Sequence, residues 1–64
     1  MISYPLEIII PVYNEGENIN QVFNQFQNQV DTKFRVLVCY DHEDDNTLKG
    51  YDPNNYDFEI IQLK

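Results

Sequence analysis

Apolar residues fall in blocks along the chain, and the spacing changes from block to block. Leu6 to Val12 (LEIIIPV) is a β-branched run with Pro11 near its end, which predicts a strand over Leu6–Pro11 buried on both faces. From Ile19 to Val30 the period lengthens. Ile19, Val22, Phe23, Phe26 and Val30 stand at i, i+3, i+4, i+7 and i+11, one stripe of a helix, and Asn20, Gln21, Asn24, Gln25, Gln27 and Asn28 make its polar, uncharged side. Asn14 and Glu17 have the spacing of a capping box, which predicts the helix start at that point. Phe34 to Tyr40 (FRVLVCY) and Phe58 to Leu63 (FEIIQL) have the length and residue types of a second and a third strand. Asp41 to Asn46 (DHEDDN) is too acidic for a core element and reads as a loop at the carboxyl end of the second strand. Thr47 to Tyr51 suits a short helical turn, and Asp52-Pro53-Asn54-Asn55 is a turn cluster.

Strand, helix, strand, acidic loop, strand is the order of an α/β protein, with a crossover helix and an open parallel sheet in the spatial order 3-2-1. A parallel strand needs cover on both faces, and one helix supplies only one. The third strand also runs to the end of the sequence with no closing element. Residues 1–64 are therefore expected to be a single incomplete domain, the amino-terminal part of a larger sheet. In isolation it is expected to associate through the exposed sheet or to stay loosely packed.

Composition narrows the partners. Among 64 residues, 42% are hydrophobic and 14% aromatic, too apolar for a disordered tail. A net charge of −7, from four Lys and Arg against eleven Asp and Glu, argues against a nucleic-acid partner, which would need clustered basic side chains. Cys39 is the only cysteine and cannot form an internal disulfide, which favours a cytoplasmic setting. No signal peptide pattern opens the sequence, and no apolar run approaches the ~20 residues of a membrane span.

Ligands of open parallel sheets bind beyond the carboxyl ends of the strands. Pro11 to Glu15 follows the first strand and Asp41 to Asp45 the second, so Tyr13 and Asp41 are expected on one rim. An aromatic ring beside a carboxylate suits a nucleobase, stacked on its face and bonded at its edge. The alternative is that Tyr13 packs on the helix and Asp41 caps the next turn. Gly16 and Gly50 are the only glycines, so neither GxGxxG nor GxxxxGK[ST] is present and a dinucleotide or P-loop cradle is excluded. Glu15 and Glu17 would repel a bare phosphate, and a phosphorylated ligand would need a divalent cation between it and this rim. Asp41, Glu43, Asp45, Thr47, Lys49 and Asp52 fall at calcium-loop offsets, but Asn46 holds the glycine position and a strand precedes the loop. His42 stands without a second nitrogen or thiolate at zinc-ligand spacing.

IIIPVYNEGENI, from Ile8 to Ile19, and VLVCYDHEDDNT, from Val36 to Thr47, resemble the two opening motifs of the family 2 glycosyltransferases, inverting enzymes of the GT-A fold. The first motif is most similar to the branch of dolichol- and polyprenyl-phosphate sugar transferases. In the second, Tyr40 replaces the first of two family aspartates, Asp41 keeps the other, His42-Glu43-Asp44 replaces a small-residue turn, and Asp45 and Thr47 match. The resemblance implies an amino-terminal, Rossmann-like half of a GT-A domain that binds a UDP- or GDP-linked sugar. Pro11 and Tyr13 would flank the base, Glu15 would line the site, Cys39 would contribute mainly backbone, and Asp41 would bond the base. The family's Asp-x-Asp metal motif and catalytic base fall later than Lys64, so no catalytic or metal residue is expected here. Mg²⁺ or Mn²⁺ is expected in the full-length protein, and that protein is expected to be cytoplasmic, either free or at the cytoplasmic face of a membrane. The reading from a different class is a non-catalytic α/β module that associates through its open sheet.

Overall fold

The β-branched runs form β1 (Leu6–Pro11), β2 (Phe34–Cys39) and β3 (Glu59–Leu63), and the apolar stripe belongs to the helix α1 (Ile19–Gln29). Two 3₁₀ turns, Asn46–Lys49 and Pro53–Asn55, lie between β2 and β3. The computed structural model describes residues 5–64. All three strands are parallel in the order β1-β2-β3, the expected 3-2-1 order taken from the other edge. Leu6 pairs with Phe34 and Pro11 with Cys39, while Arg35 pairs with Glu59 and Cys39 with Leu63.

Register and pleat together sort the side chains. On central β2, Phe34, Val36 and Val38 are buried, and Arg35, Leu37 and Cys39 alternate with them at intermediate exposure. The buried set joins Ile19 and Phe23 of α1 and Phe58 in one core, flanked by Ile8, Ile10, Phe26, Tyr51, Tyr56 and Ile60. Phe23 is its centre. Its ring meets Tyr51, Tyr56 and Phe58 edge to face at 5.0, 5.3 and 5.8 Å, and Phe58 lies 4.6 Å from Phe34. Edge-to-face rings add to the stabilisation from buried area, so this cluster fixes α1 over β2 and β3.

Among the described residues, no helix covers the other sheet face. Ile9, Leu37 and Ile61 are aligned across it by the two registers, and Ile9 keeps 64% of its surface exposed. Arg35 and Glu7 form an ion pair at its amino-terminal end. The expectation that β1 is buried on both faces is corrected here: Ile8 and Ile10 are half-buried, whereas Glu7, Ile9 and Pro11 are exposed. One helix covers one face of three strands, as the count of elements requires.

The helix start is also corrected. α1 begins at Ile19, after Asn18, and no side chain caps it. Asn14 is instead in the left-handed region at φ 50°, and its side chain accepts from the Asn46 N–H at 3.3 Å. The chain between them turns on the Glu15 carbonyl, which accepts from the N–H groups of Asn18 and Ile19, each at 2.9 Å. The polar side of α1 is more than a solvated surface. Asn20 donates to the Gly50 carbonyl at 2.7 Å and accepts from the Tyr56 hydroxyl, and the Gln27 side chain accepts from the Asp57 N–H at 2.9 Å. These bonds tie the long β2–β3 connection to the helix.

Candidate functional site

Parallel pairing brings the segments that follow β1 and β2 to the same end of the sheet. The ladder continues past the strand ends, with the Val12 N–H donating to the Cys39 carbonyl and the Tyr40 N–H to the Leu63 carbonyl, both at 2.9 Å. Tyr13 and Asp41 each follow by two residues the last paired positions, Pro11 and Cys39, in the segments that leave the carboxyl end of the sheet. Both are exposed, Tyr13 at 70%. The 3₁₀ turn that follows is capped by Asp45, which accepts from the Thr47 N–H. Pro11 and Glu15 line a pocket of about 240 Å³ with Ile10, Val12, Asn18, Ile19 and Val22, against the edge of β1. Cys39 lies beneath the rim at intermediate exposure, its backbone engaged in the ladder. The larger cavity, about 310 Å³, opens at the opposite end, where Lys33, Phe34 and Phe58 are found. Ligands of open parallel sheets bind beyond the carboxyl ends of the strands, the end at which the smaller pocket lies.

What joins the two rim segments was not legible from either motif alone. Three successive backbone N–H groups reach across to three successive side chains. Asn14 N–H donates to Asp45 Oδ1 at 3.0 Å, Glu15 N–H to Thr47 Oγ1 at 2.8 Å, and Gly16 N–H to Asn46 Oδ1 at 2.8 Å. Asp45 and Thr47 are buried, at 5% and 0% exposure. Every one of these bonds spans thirty residues or more of sequence. The local half was readable: an Asp followed two residues later by an N–H it can accept is an Asx turn, and Asp45 makes one with Thr47 at 2.8 Å. The cross-loop half needs the parallel register to exist first.

These donors set the charge on Asp45. The side-chain hydrogen bond with Thr47 is the largest influence holding its carboxyl below the usual carboxylate range; burial opposes it, and the N–H groups of Thr47 and Asn14 and nearby His42 reinforce it. A group with a depressed folded pKa binds fewer protons folded than unfolded, so its stabilisation is full above the ordinary Asp value of ~3.9 and is lost as pH falls through the folded value. The melting temperature of the wild type should therefore fall more steeply than that of Asp45→Asn between about pH 5 and about pH 2, and the gap between them should close at the acid end. A constant gap across that range would remove Asp45 from the linkage.

The Asp45 carboxylate is thus engaged with N–H donors. Among the described residues, no group of three or more His, Cys, Asp and Glu side chains gathers to hold a metal ion. Among the same residues, no helix is long and apolar enough to cross a membrane.

The family model of glycosyl transferase family 2 matches residues 7–63. The chain belongs to glycosyl transferase family 2. The match runs from β1 to the last residue of β3, so the rim and its cross-loop bonds lie inside the region that defines membership. No curated protein and no solved structure matches the chain. The α/β fold with three parallel strands agrees with the amino-terminal part of a GT-A, Rossmann-like sheet.

Proposed function

We propose that this segment of the glycosyl transferase family 2 chain holds the nucleotide of a UDP- or GDP-linked sugar for inverting transfer to an acceptor. The observation that carries the reading is the register. Pro11 pairs with Cys39, and an exposed aromatic ring, Tyr13, and an exposed carboxylate, Asp41, each follow two residues later at the carboxyl end of the sheet. Tyr13 offers a face for the base to stack on. Asp41 accepts an N–H from the base edge, Pro11 and Glu15 bound the site from the helix side, and Cys39 contributes backbone. The residues here bind and orient. Mg²⁺ or Mn²⁺ belongs to the proposal only as a property of the full-length protein, and no step is assigned to it. Membership of the branch resembling polyprenyl-phosphate sugar transferases, with work at the cytoplasmic face of a membrane, rests on the Pro11-Val12-Tyr13-Asn14-Glu15 motif alone.

Calorimetric titration of UDP and of GDP into the full-length protein tests the site. Tyr13→Ala should lose stacking worth ~1–3 kcal/mol, by analogy with base stacking on aromatic side chains. Asp41→Asn should cost ~1.5–3 kcal/mol, the range for hydrogen bonds to charged groups. Measurable wild-type binding with unchanged affinity in both variants would remove these residues from the site and leave the family membership standing.

The uncovered face supports a second part of the proposal, self-association of the isolated 64-residue chain. Ile9, exposed, and Leu37 and Ile61, half-buried, form an apolar row across three strands, and apolar rows of this kind seek cover. Sedimentation of the isolated chain should show mass rising with concentration, and Ile9→Lys should suppress the rise. A compact monomer at every concentration would overturn it.

A further inference from the structure

We propose that Asp45, Asn46 and Thr47 are positioning residues of the nucleotide site, which hold the loop after β1 so that Tyr13 stands at a fixed place opposite Asp41. The inference rests on the nucleotide reading above and adds residues that touch no ligand.

Tyr13 is 70% exposed, so packing of its own ring does little to fix it. Its direction is set by the backbone that follows. Asn14 is left-handed at φ 50°, an uncommon conformation outside glycine, and such a residue keeps it only where its surroundings over-determine it. Here they do. The N–H groups of Asn14, Glu15 and Gly16 are each taken by one side chain of Asp45, Thr47 and Asn46, at 2.8 to 3.0 Å, and the Asn14 side chain accepts in return from the Asn46 N–H. The far side of the clamp is equally anchored. The Asp45 N–H donates to the His42 carbonyl at 3.1 Å, which closes the turn directly after Asp41. The clamp therefore links the residue next to Tyr13 to the turn next to Asp41. A loop ordered before the ligand arrives spares the ligand the entropy of ordering it, and a base sandwiched by geometry loses affinity when a platform shifts by even an ångström.

Thr47 is the residue to test, because Thr47→Val keeps its shape in a fully buried position and removes the hydroxyl that accepts from the Glu15 N–H and bonds the Asp45 carboxylate, both within the clamp. Titration of UDP and of GDP into the full-length protein should find Thr47→Val weakened about 10-fold and Thr47→Ser, which keeps the hydroxyl, close to wild type. In the Tyr13→Ala background the same Thr47→Val change should cost less than about 2-fold, since no ring is left to position. Hydrogen exchange at the amides of Asn14, Glu15 and Gly16 should quicken in Thr47→Val and not in Thr47→Ser. If Thr47→Val does not fold, Asn46→Ala carries the test: Asn46 is exposed, and its loss frees the Gly16 N–H and should weaken binding about 3-fold. An equal penalty in both backgrounds, or faster exchange with unchanged affinity, would overturn the positioning role while Tyr13→Ala still shows the nucleotide site. If Tyr13→Ala itself changes nothing, the nucleotide reading falls, and the positioning role with it.

Discussion

Phe23→Ala should leave this segment without a stable fold. Phe23 is fully buried, and its ring contacts Phe26, Tyr51, Tyr56 and Phe58, so the cavity left by truncation opens onto four other rings. Truncating a buried Phe costs ~3–5 kcal/mol, and rigid aromatic walls collapse poorly into the gap. A single core in a chain below about 70 residues rarely supplies more than ~3–5 kcal/mol in total. The two magnitudes are equal, so the variant sits at or below the point of unfolding. Phe23→Leu keeps most of the volume and should remain folded, at a cost of about 1.5 kcal/mol. Far-UV circular dichroism and a thermal melt of the three proteins would show it. A cooperative melt of Phe23→Ala within about 1 kcal/mol of wild type would mean that α1 is held on the sheet by something other than this ring.

Gly50→Val should be the most damaging substitution outside the core. Gly50 has φ −82°, which any residue adopts, so the requirement for glycine there is one of space. A Cβ at Gly50 would come within 2.7 Å of both the Cα and the carbonyl oxygen of Gly16. Those are backbone atoms at the entry to α1, and they cannot turn aside as a side chain would. The only two glycines of the chain are thus in mutual contact, where the end of the first 3₁₀ turn crosses the approach to the helix. Overpacking costs ~1–3 kcal/mol, and the branched methyls of Val place this case at the upper end or beyond. The small entropic benefit of replacing glycine, ~0.4–1 kcal/mol, does not offset it. Denaturant titration of Gly50→Val against wild type measures the difference. A loss below about 0.5 kcal/mol would show that the two segments separate freely.

The elements most legible in the sequence are those whose pattern and packing have one cause. Ile19, Val22, Phe23, Phe26 and Val30 predict the helix because the stripe that faces the core is the stripe that makes the core. The bounds of β1 were legible for the same reason, and those of β2 and β3 to within a residue. Burial of β1 was misjudged because a β-branched run does not say which of its faces is covered: Ile9 and Ile10 look alike in sequence and differ in surroundings. Asn14 shows a different limit. Its spacing to Glu17 satisfies a local rule, but a partner thirty-two residues away, Asn46, competes for the same side chain and wins. Asp45 and Thr47 follow the same logic. Polar residues in loops take their partners from topology, and topology is what a single motif does not carry.

The clamp has a consequence for how the chain meets negative charge. A run of consecutive backbone N–H groups between a strand and a helix is the seat in which many nucleotide-binding proteins receive a phosphate. In this chain the seat is taken from within: the carboxylate of Asp45 and the oxygens of Thr47 and Asn46 occupy the amides that a phosphate would use. The protein carries its own anion in the place of the substrate's. A phosphate approaching this turn would find all three amides already bonded.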